Sequence, residues 1–251
     1  DNNDVPMVEY LLSKGAKPTG LKKPAQNGWF DMVKTLIKYK ADPNEGINEA
    51  ITAVQNGIAI YLLDVGADAK PKPYIEMAAW KGSDRLVAKL LEKGANANFG
   101  TLNAVKYKRV ATMKMLIKAN ADVSRNALMD VAVTNFQEQM IVLLLANGGD
   151  TEFVTPKNGM TYLHRVADKK GKARLVKIFI DAGVPVDAVD KKQETALHKA
   201  VRTGKKNVAA VKYLIEAGAN VNAKDKRGRS VLKRANNKAA KELVAAAGGV
   251  K

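Results

Sequence analysis

The sequence predicts an all-α solenoid of about nine stacked helix-turn-helix units. Three observations carry that prediction. A pair of large apolar residues recurs along the chain, each time just ahead of a Gly- or Asn-type stop. An apolar helical pattern runs up to each pair, and a second, shorter pattern precedes it. A Gly-type break separates the two patterns. Neither helix of such a unit can bury its apolar face alone, so neighbouring units must stack.

The pairs are Leu11-Leu12, Leu36-Ile37, Leu62-Leu63, Leu90-Leu91, Leu116-Ile117, Leu144-Leu145, Phe179-Ile180 and Leu214-Ile215, with Leu243-Val244 as a ninth. Three residues after the first eight stand Gly15, Lys40, Gly66, Gly94, Asn120, Gly148, Gly183 and Gly218. Gly and Asn tolerate the left-handed backbone that ends a helix, so these positions read as C-caps, with Lys40 the exception. Within a unit, the break between helices is read at Gly28, Gly57, Gly82 and Gly204. The first unit has an outer helix, Val5–Lys14, with no inner helix ahead of it, and the chain starts at Asp1; residues upstream are expected. The last helix carries Lys238, Lys241 and Glu242 among alanines, which suits a polar terminal cap.

Two units carry a sharper signature. Residues 158–188 open with Asn158, Gly159, Met160, Thr161, Tyr162, Leu163 and His164. Residues 190–223 contain Thr195-Ala196-Leu197-His198 followed by Ala200, and close on Ala219-Asn220-Val221-Asn222. This resembles the ankyrin repeat, whose signature is Thr-Pro-Leu-His-x-Ala in a period of about 33. The pattern runs through nearly the whole chain; before residue 158 it rests on the apolar pairs and caps alone. The steps between pairs are 25 to 28 residues as far as Leu145, then 35 twice. The resemblance implies that the missing length lies in the hairpin fingers between repeats. Short loops are therefore expected over 1–150, and fuller fingers over 151–251, within one solenoid spanning 1–251. Lys205-Lys206 are expected to lengthen the turn between the helices of their unit.

Composition narrows the function classes. Hydrophobic residues make up 46% of the 251, which excludes a disordered chain. Cysteine is absent, which excludes disulfides and thiolate chemistry and fits a reducing compartment. The longest uninterrupted apolar run, Met140–Ala146, is too short to span a bilayer, and no signal-peptide pattern opens the chain. A cytoplasmic location is expected, the host cytoplasm if the source is viral. The features are compatible with a bacterial or viral inhibitor of a host protein. The net charge is +17, and it is uneven: residues 1–150 hold 19 basic and 16 acidic side chains, residues 151–251 hold 23 and 9. An anionic partner for the C-terminal part follows.

No phosphate-binding loop, dinucleotide fingerprint, zinc-protease or nucleophile-elbow motif occurs. No catalytic, cofactor or metal residue is predicted, and the chain is read as a non-enzyme. Asp168 and Glu194 are read as solvated carboxylates, because nothing in the sequence pairs them. The two histidines, His164 and His198, fall on the His of the signature. The resemblance implies a structural role for each, with the imidazole bridging loops of adjacent repeats.

The resemblance also implies that partners contact the fingers and the exposed ends of the inner helices. The two residues before each inner-helix break form a row: Gln26/Asn27, Gln55/Asn56, Trp80/Lys81, Lys106/Tyr107, Thr134/Asn135, Asp168/Lys169, Arg202/Thr203 and Asn236/Asn237. Trp80 and Tyr107, in adjacent units, read either as an exposed anchor or as rings folded over a neighbouring helix. Cations recur at the later fingers: Lys157, Lys191, Lys192, Lys224, Lys226, Arg227 and Arg229. Arg165, Lys169 and Arg202 lie on the adjoining inner helices. Stacking is expected to align them into one basic stripe. The favoured partner is a protein with an acidic surface. The alternative is sequence-nonspecific nucleic-acid binding, although the stripe lacks aromatics for base stacking. Neither membrane insertion nor a small-molecule substrate is predicted.

Overall fold

The computed structural model describes residues 3–250. Its contacts divide the chain into two compact units, Asp1–Asp122 and Val123–Lys251. Among the described residues there are seventeen α-helices and no sheet.

The first unit contains α1 (Val5–Ser13), α2 (Lys22–Asn27), α3 (Phe30–Lys38), α4 (Asn44–Thr52), α5 (Asn56–Asp64), α6 (Lys72–Lys81), α7 (Asp84–Glu92), α8 (Asn98–Lys106) and α9 (Val110–Lys118). The inner helices α2, α4, α6 and α8 pack side by side, and the outer helices form a second layer through pairs such as α5 with α7 and α7 with α9. Ala25, Ala50, Ala78 and Ala104 are buried on successive inner helices, where a small side chain lets neighbours approach. Leu62, Leu86, Leu90 and Leu116 bring larger core side chains from the outer helices, and Ile47 and Ile75 add to them from α4 and α6. On α1, Met7, Tyr10 and Leu11 remain exposed.

The second unit contains α10 (Asn126–Thr134), α11 (Glu138–Leu145), α12 (Tyr162–Ala167), α13 (Ala173–Asp181), α14 (Ala196–Arg202), α15 (Val208–Glu216), α16 (Val231–Arg234) and α17 (Lys238–Ala246). Here α10, α12, α14 and α16 form the inner layer, and α13, α15 and α17 pack in turn on the outside.

Each outer helix ends on the same double hydrogen bond. The Gly94 N–H reaches the Leu91 carbonyl at 3.0 Å, and the Ala95 N–H reaches Leu90 at 2.9 Å. This is the Schellman pattern, which satisfies carbonyls orphaned at the helix end. It explains why the apolar pair and the cap travel together: the pair supplies both acceptors. Lys40 adopts the left-handed conformation as well, at φ 70°, so the sequence exception is no structural exception. The ninth pair shifts by one residue. Gly248 and Gly249 donate to Ala245 and Val244, so Val244-Ala245 is the equivalent pair and Leu243 precedes it.

The break between inner and outer helices is left-handed in every complete repeat of the first unit. Gly28 and Gly82 take it as expected, but Gly57 does not. Gly57 lies inside α5, and Val54 makes the turn at φ 62°. Lys108 and Phe136 do the same at later breaks. The reason is backbone satisfaction: the N–H of the following residue, Gln55, Arg109 or Gln137, must reach the carbonyl of Ala50, Ala104 or Ala132. That geometry demands positive φ whatever side chain is present. The row of exposed inner-helix ends changes accordingly. Thr52/Ala53 replace Gln55/Asn56, and Asn237 caps α17 through Ala240 instead of ending an inner helix.

Loop lengths divide the chain as the spacing predicts. Residues 39–43 and 93–97 join helices in the first unit, whereas 146–161, 182–195 and 217–230 join them in the second. The longer loops carry turned fingers, with bridges from Val154 to Thr161 and from Lys224 to Ser230. Lys205–Asn207 form a short 3-10 turn, which is the predicted lengthening between α14 and α15.

Candidate functional site

Two fingers of the second unit are built by one device. Asp190 accepts from the N–H groups of Lys192 (2.8 Å) and Glu194 (3.0 Å), closing the turn around its own carboxylate. Asp225 repeats this with Arg227 (2.9 Å) and Arg229 (3.0 Å). Gln193 and Gly228 take the positive φ each turn requires. Adjacent fingers are then joined by backbone. The Lys191 N–H donates to Asn158, and the Lys226 N–H donates to Lys192, each at 2.9 Å. Lys157, Lys191 and Lys226 therefore occupy equivalent tip positions, and Asn158, Lys192 and Arg227 sit beside them.

Thr161 and Thr195 begin α12 and α14, each with its hydroxyl and the backbone N–H of the histidine three residues on in a reciprocal capping box. The His164 Nδ1 accepts from the Thr161 N–H at 3.3 Å, so its Nε2–H donates to the Glu194 carbonyl of the next finger at 2.8 Å. The imidazole thus bridges adjacent repeats. His198 makes the same contact with Thr195, while its buried Nε2 has no hydrogen-bond partner among the described residues. Burial pushes both imidazoles below the ordinary histidine pKa, so they are neutral.

Beneath the fingers lies a buried ion network that sequence reasoning missed. The Lys199 ammonium bonds the Asp190 carboxylate at 2.7 Å and also the Glu194 carboxylate. Glu194 binds Arg234 through its other oxygen, and Arg229 pairs with Asp225 at 2.7 Å. Side-chain exposure is 5% for Lys199 and 3% for Glu194, so Glu194 is no solvated carboxylate. Burial works against ionisation of Asp190 and Glu194, but Lys199 outweighs it, together with loop N–H groups at Asp190 and Arg234 at Glu194, and both carboxyls lie below their ordinary range. Asp225 also resists burial, held at about 2 by Arg229 and two backbone N–H groups. Asp168 pairs with Arg202 at 2.8 Å.

The predicted stripe separates into two kinds of cation. Arg165 is half-buried, bonded to Asp130 and Thr134, and lies 5.7 Å from the Tyr162 ring centroid. Arg202 and Arg229 are partly neutralised by their carboxylates, and Lys191 reaches the Pro156 carbonyl at 2.7 Å. Lys157, Lys169, Lys192, Lys224, Lys226 and Arg227 are exposed, with no carboxylate within salt-bridge distance among the described residues. Lys192, Lys226 and Arg227 converge with Arg202, Arg229 and Arg234 around a cleft of about 400 Å3, whose other lining groups are Glu194 and Asp225. Every lining residue is charged, and cations predominate.

The first unit carries the aromatic pair. Trp80 and Tyr107 come from the C-terminal ends of α6 and α8 and stand 5.8 Å apart between ring centroids, tilted by 41°. They pack on each other and remain 37% and 40% exposed. The Lys81 ammonium lies 4.2 Å from the Trp80 ring centroid, and Lys106 lies 5.8 Å from that of Tyr107. Arg109 fixes the α6 end by donating to the Trp80 carbonyl at 3.3 Å.

Among the described residues, no group of three or more His, Cys, Asp or Glu could hold a metal ion, and no helix is long and apolar enough to cross a membrane. Stacked helix pairs with projecting fingers and exposed inner-helix ends define a helical-repeat binding scaffold. Residues 128–249 match the ankyrin-repeat family, and the fold of the chain is that of ankyrin repeat domains. A family model described as ankyrin repeats (3 copies) matches residues 128–225 and 163–249. The fold resembles the ankyrin repeat domain of human ASB11, with a TM-score of 0.58 and 22% identity, covering 93% of this chain and 99% of that one. It also resembles an ankyrin repeat domain from Acinetobacter baumannii, with a TM-score of 0.64 and 26% identity over 72% of this chain and 100% of that one. Ankyrin repeats are generally protein-interaction modules, and the fold is typically a non-enzymatic scaffold.

Proposed function

We propose that this protein binds an acidic protein surface through the basic cleft of its second unit. The observation that carries the reading is the convergence of Lys192, Lys226 and Arg227, free of carboxylate partners, on a cleft that already contains Arg202, Arg229 and Arg234. Such a concentration of like charge raises the local potential and steers an anionic partner. Trp80 and Tyr107 are a second contact region, with two large rings available for burial. The absence of aromatic lining in the cleft favours protein over single-stranded nucleic acid, whose bases need stacking platforms.

Affinity capture from the native source, followed by analysis for both protein and nucleic acid, tests the reading. Charge reversal of Lys192, Lys226 and Arg227 to Glu should abolish capture of one acidic protein without changing the fold, because all three side chains are exposed. Retention of that partner by the triple variant would overturn the assignment of the cleft. Capture of nucleic acid with a steep salt dependence would favour the other reading.

A further inference from the structure

We infer that the cleft recognises a phosphorylated segment of its protein partner, reading the phosphoryl group itself and not negative charge in general. The inference rests on the reading that the second-unit fingers bind an anionic protein. Carboxylates within the site show how the protein satisfies that group. Glu194 is taken by Lys199 and Arg234, and Asp225 by Arg229 and two loop N–H groups. The carboxylate-sized positions are thus already occupied from within. Three cations remain over, and they come from two different fingers: Lys192 from one, Lys226 and Arg227 from the next.

A carboxylate carries a single charge and presents its two oxygens in one plane. A phosphoryl group is tetrahedral, carries close to two charges near neutral pH, and offers three acceptor oxygens. It can therefore engage donors that approach from separate fingers. The fingers suit this by being rigid. Lys226 is tied by its backbone to Lys192 at 2.9 Å, and the Arg227 N–H is held by the Asp225 carboxylate at 2.9 Å, so the bases of all three side chains are fixed before a ligand arrives. Pre-ordering of this kind reduces the entropy lost on binding. The cleft, at about 400 Å3, also exceeds what a lone carboxylate fills and leaves space for the flanking chain.

The test uses the full chain and three fluorescein-labelled probes. The first is a short Glu-rich peptide with a central phosphoserine, the second the same peptide with Glu at that position, and the third a single-stranded oligonucleotide of similar length. Fluorescence anisotropy should show the phosphopeptide binding at least about tenfold tighter than its Glu counterpart, the size expected for one added charge-assisted contact. Its affinity should fall as the phosphate takes up a proton below about pH 6. R227Q and K226Q should each remove most of the preference, while K212Q, on the outer helix α15, should leave it intact. Equal affinity for the two peptides would overturn phosphoryl recognition while leaving the acidic-protein reading in place. Binding of neither peptide would overturn both. Tighter binding of the oligonucleotide than of either peptide would also overturn the inference and assign the cleft to nucleic acid.

Discussion

The Lys226 N–H donates to the Lys192 carbonyl at 2.9 Å, joining two fingers at their most cationic positions. Two like-charged tips would otherwise separate. The backbone bond and the buried carboxylates beneath them hold the charges together. Lys199, Asp190, Glu194, Arg234 and Asp225 are thus the foundation on which the exposed cations stand.

Removing the central cation of that foundation should be costly. Lys199→Met leaves the carboxylates of Asp190 and Glu194 buried with fewer partners, and unfolding free energy should fall by roughly 3–5 kcal/mol. Lys212→Met, whose ion pair is well exposed, should change stability by less than about 1 kcal/mol. Urea denaturation of the two variants checks this. Equal midpoints would show the buried network to be energetically neutral.

Stability should decline on acidification in two stages. His164 and His198 have lowered pKa values in the fold, so the unfolded chain binds their protons first. Their contribution is complete above about pH 6.5 and is lost progressively below it. Asp190, Glu194 and Asp225 are also lowered, with Asp225 at about 2. Their contribution is complete above the ordinary carboxylate range and is lost as the pH falls through the folded values. Thermal melting from pH 8 to pH 3 should show this order. Replacing both histidines by Gln should flatten the upper part of the profile.

Val54 stands where left-handed backbone is required, at φ 62°, with its side chain 44% exposed. A β-branched residue is strained there. Val54→Gly should raise stability by about 0.5–1 kcal/mol, the relief of strain less the added entropy of glycine. Gly82→Ala, at φ 73° with Arg109 atoms 2.8 Å from the new methyl group, should lower it. Melting temperatures of the pair decide the matter by moving in opposite directions.

Thr195 caps α14 and contacts the His198 ring. Thr195→Val removes both interactions at a buried position and should cost about 1–2 kcal/mol. Thr203→Val, at the other end of the same helix, loses only a hydroxyl bond to the Lys199 carbonyl and one to Ala167, and should cost less. Denaturant midpoints for the two substitutions provide the comparison.

The repeat, its caps and the change in finger length could be read from the sequence because each is set by residues close together in the chain. A Schellman end needs an apolar pair and a left-handed position three residues on, and every outer helix from α1 to α15 supplies both. Where the reading slipped, at Gly57 and at Leu243-Val244, residue type misled. The backbone closes the turn at Val54 and Gly248, where the hydrogen bonds fall.

Which cations are free was decided only by the tertiary structure. Arg165 finds Asp130, Arg202 finds Asp168 and Arg234 finds Glu194 across separations of 35, 34 and 40 residues. Opposite charges about one repeat apart are the signal that could have revealed these pairs. Along the chain, Arg165 and Arg227 look alike. Stacking places a carboxylate within ion-pair distance of the first guanidinium and none within that distance of the second, because packing of neighbouring repeats, and not local sequence, sets what lies across the groove. The sequence by itself therefore determined a repeating helical scaffold with a basic C-terminal part. The three-dimensional stack divided that charge into an internal framework and a smaller set of cations exposed for a partner.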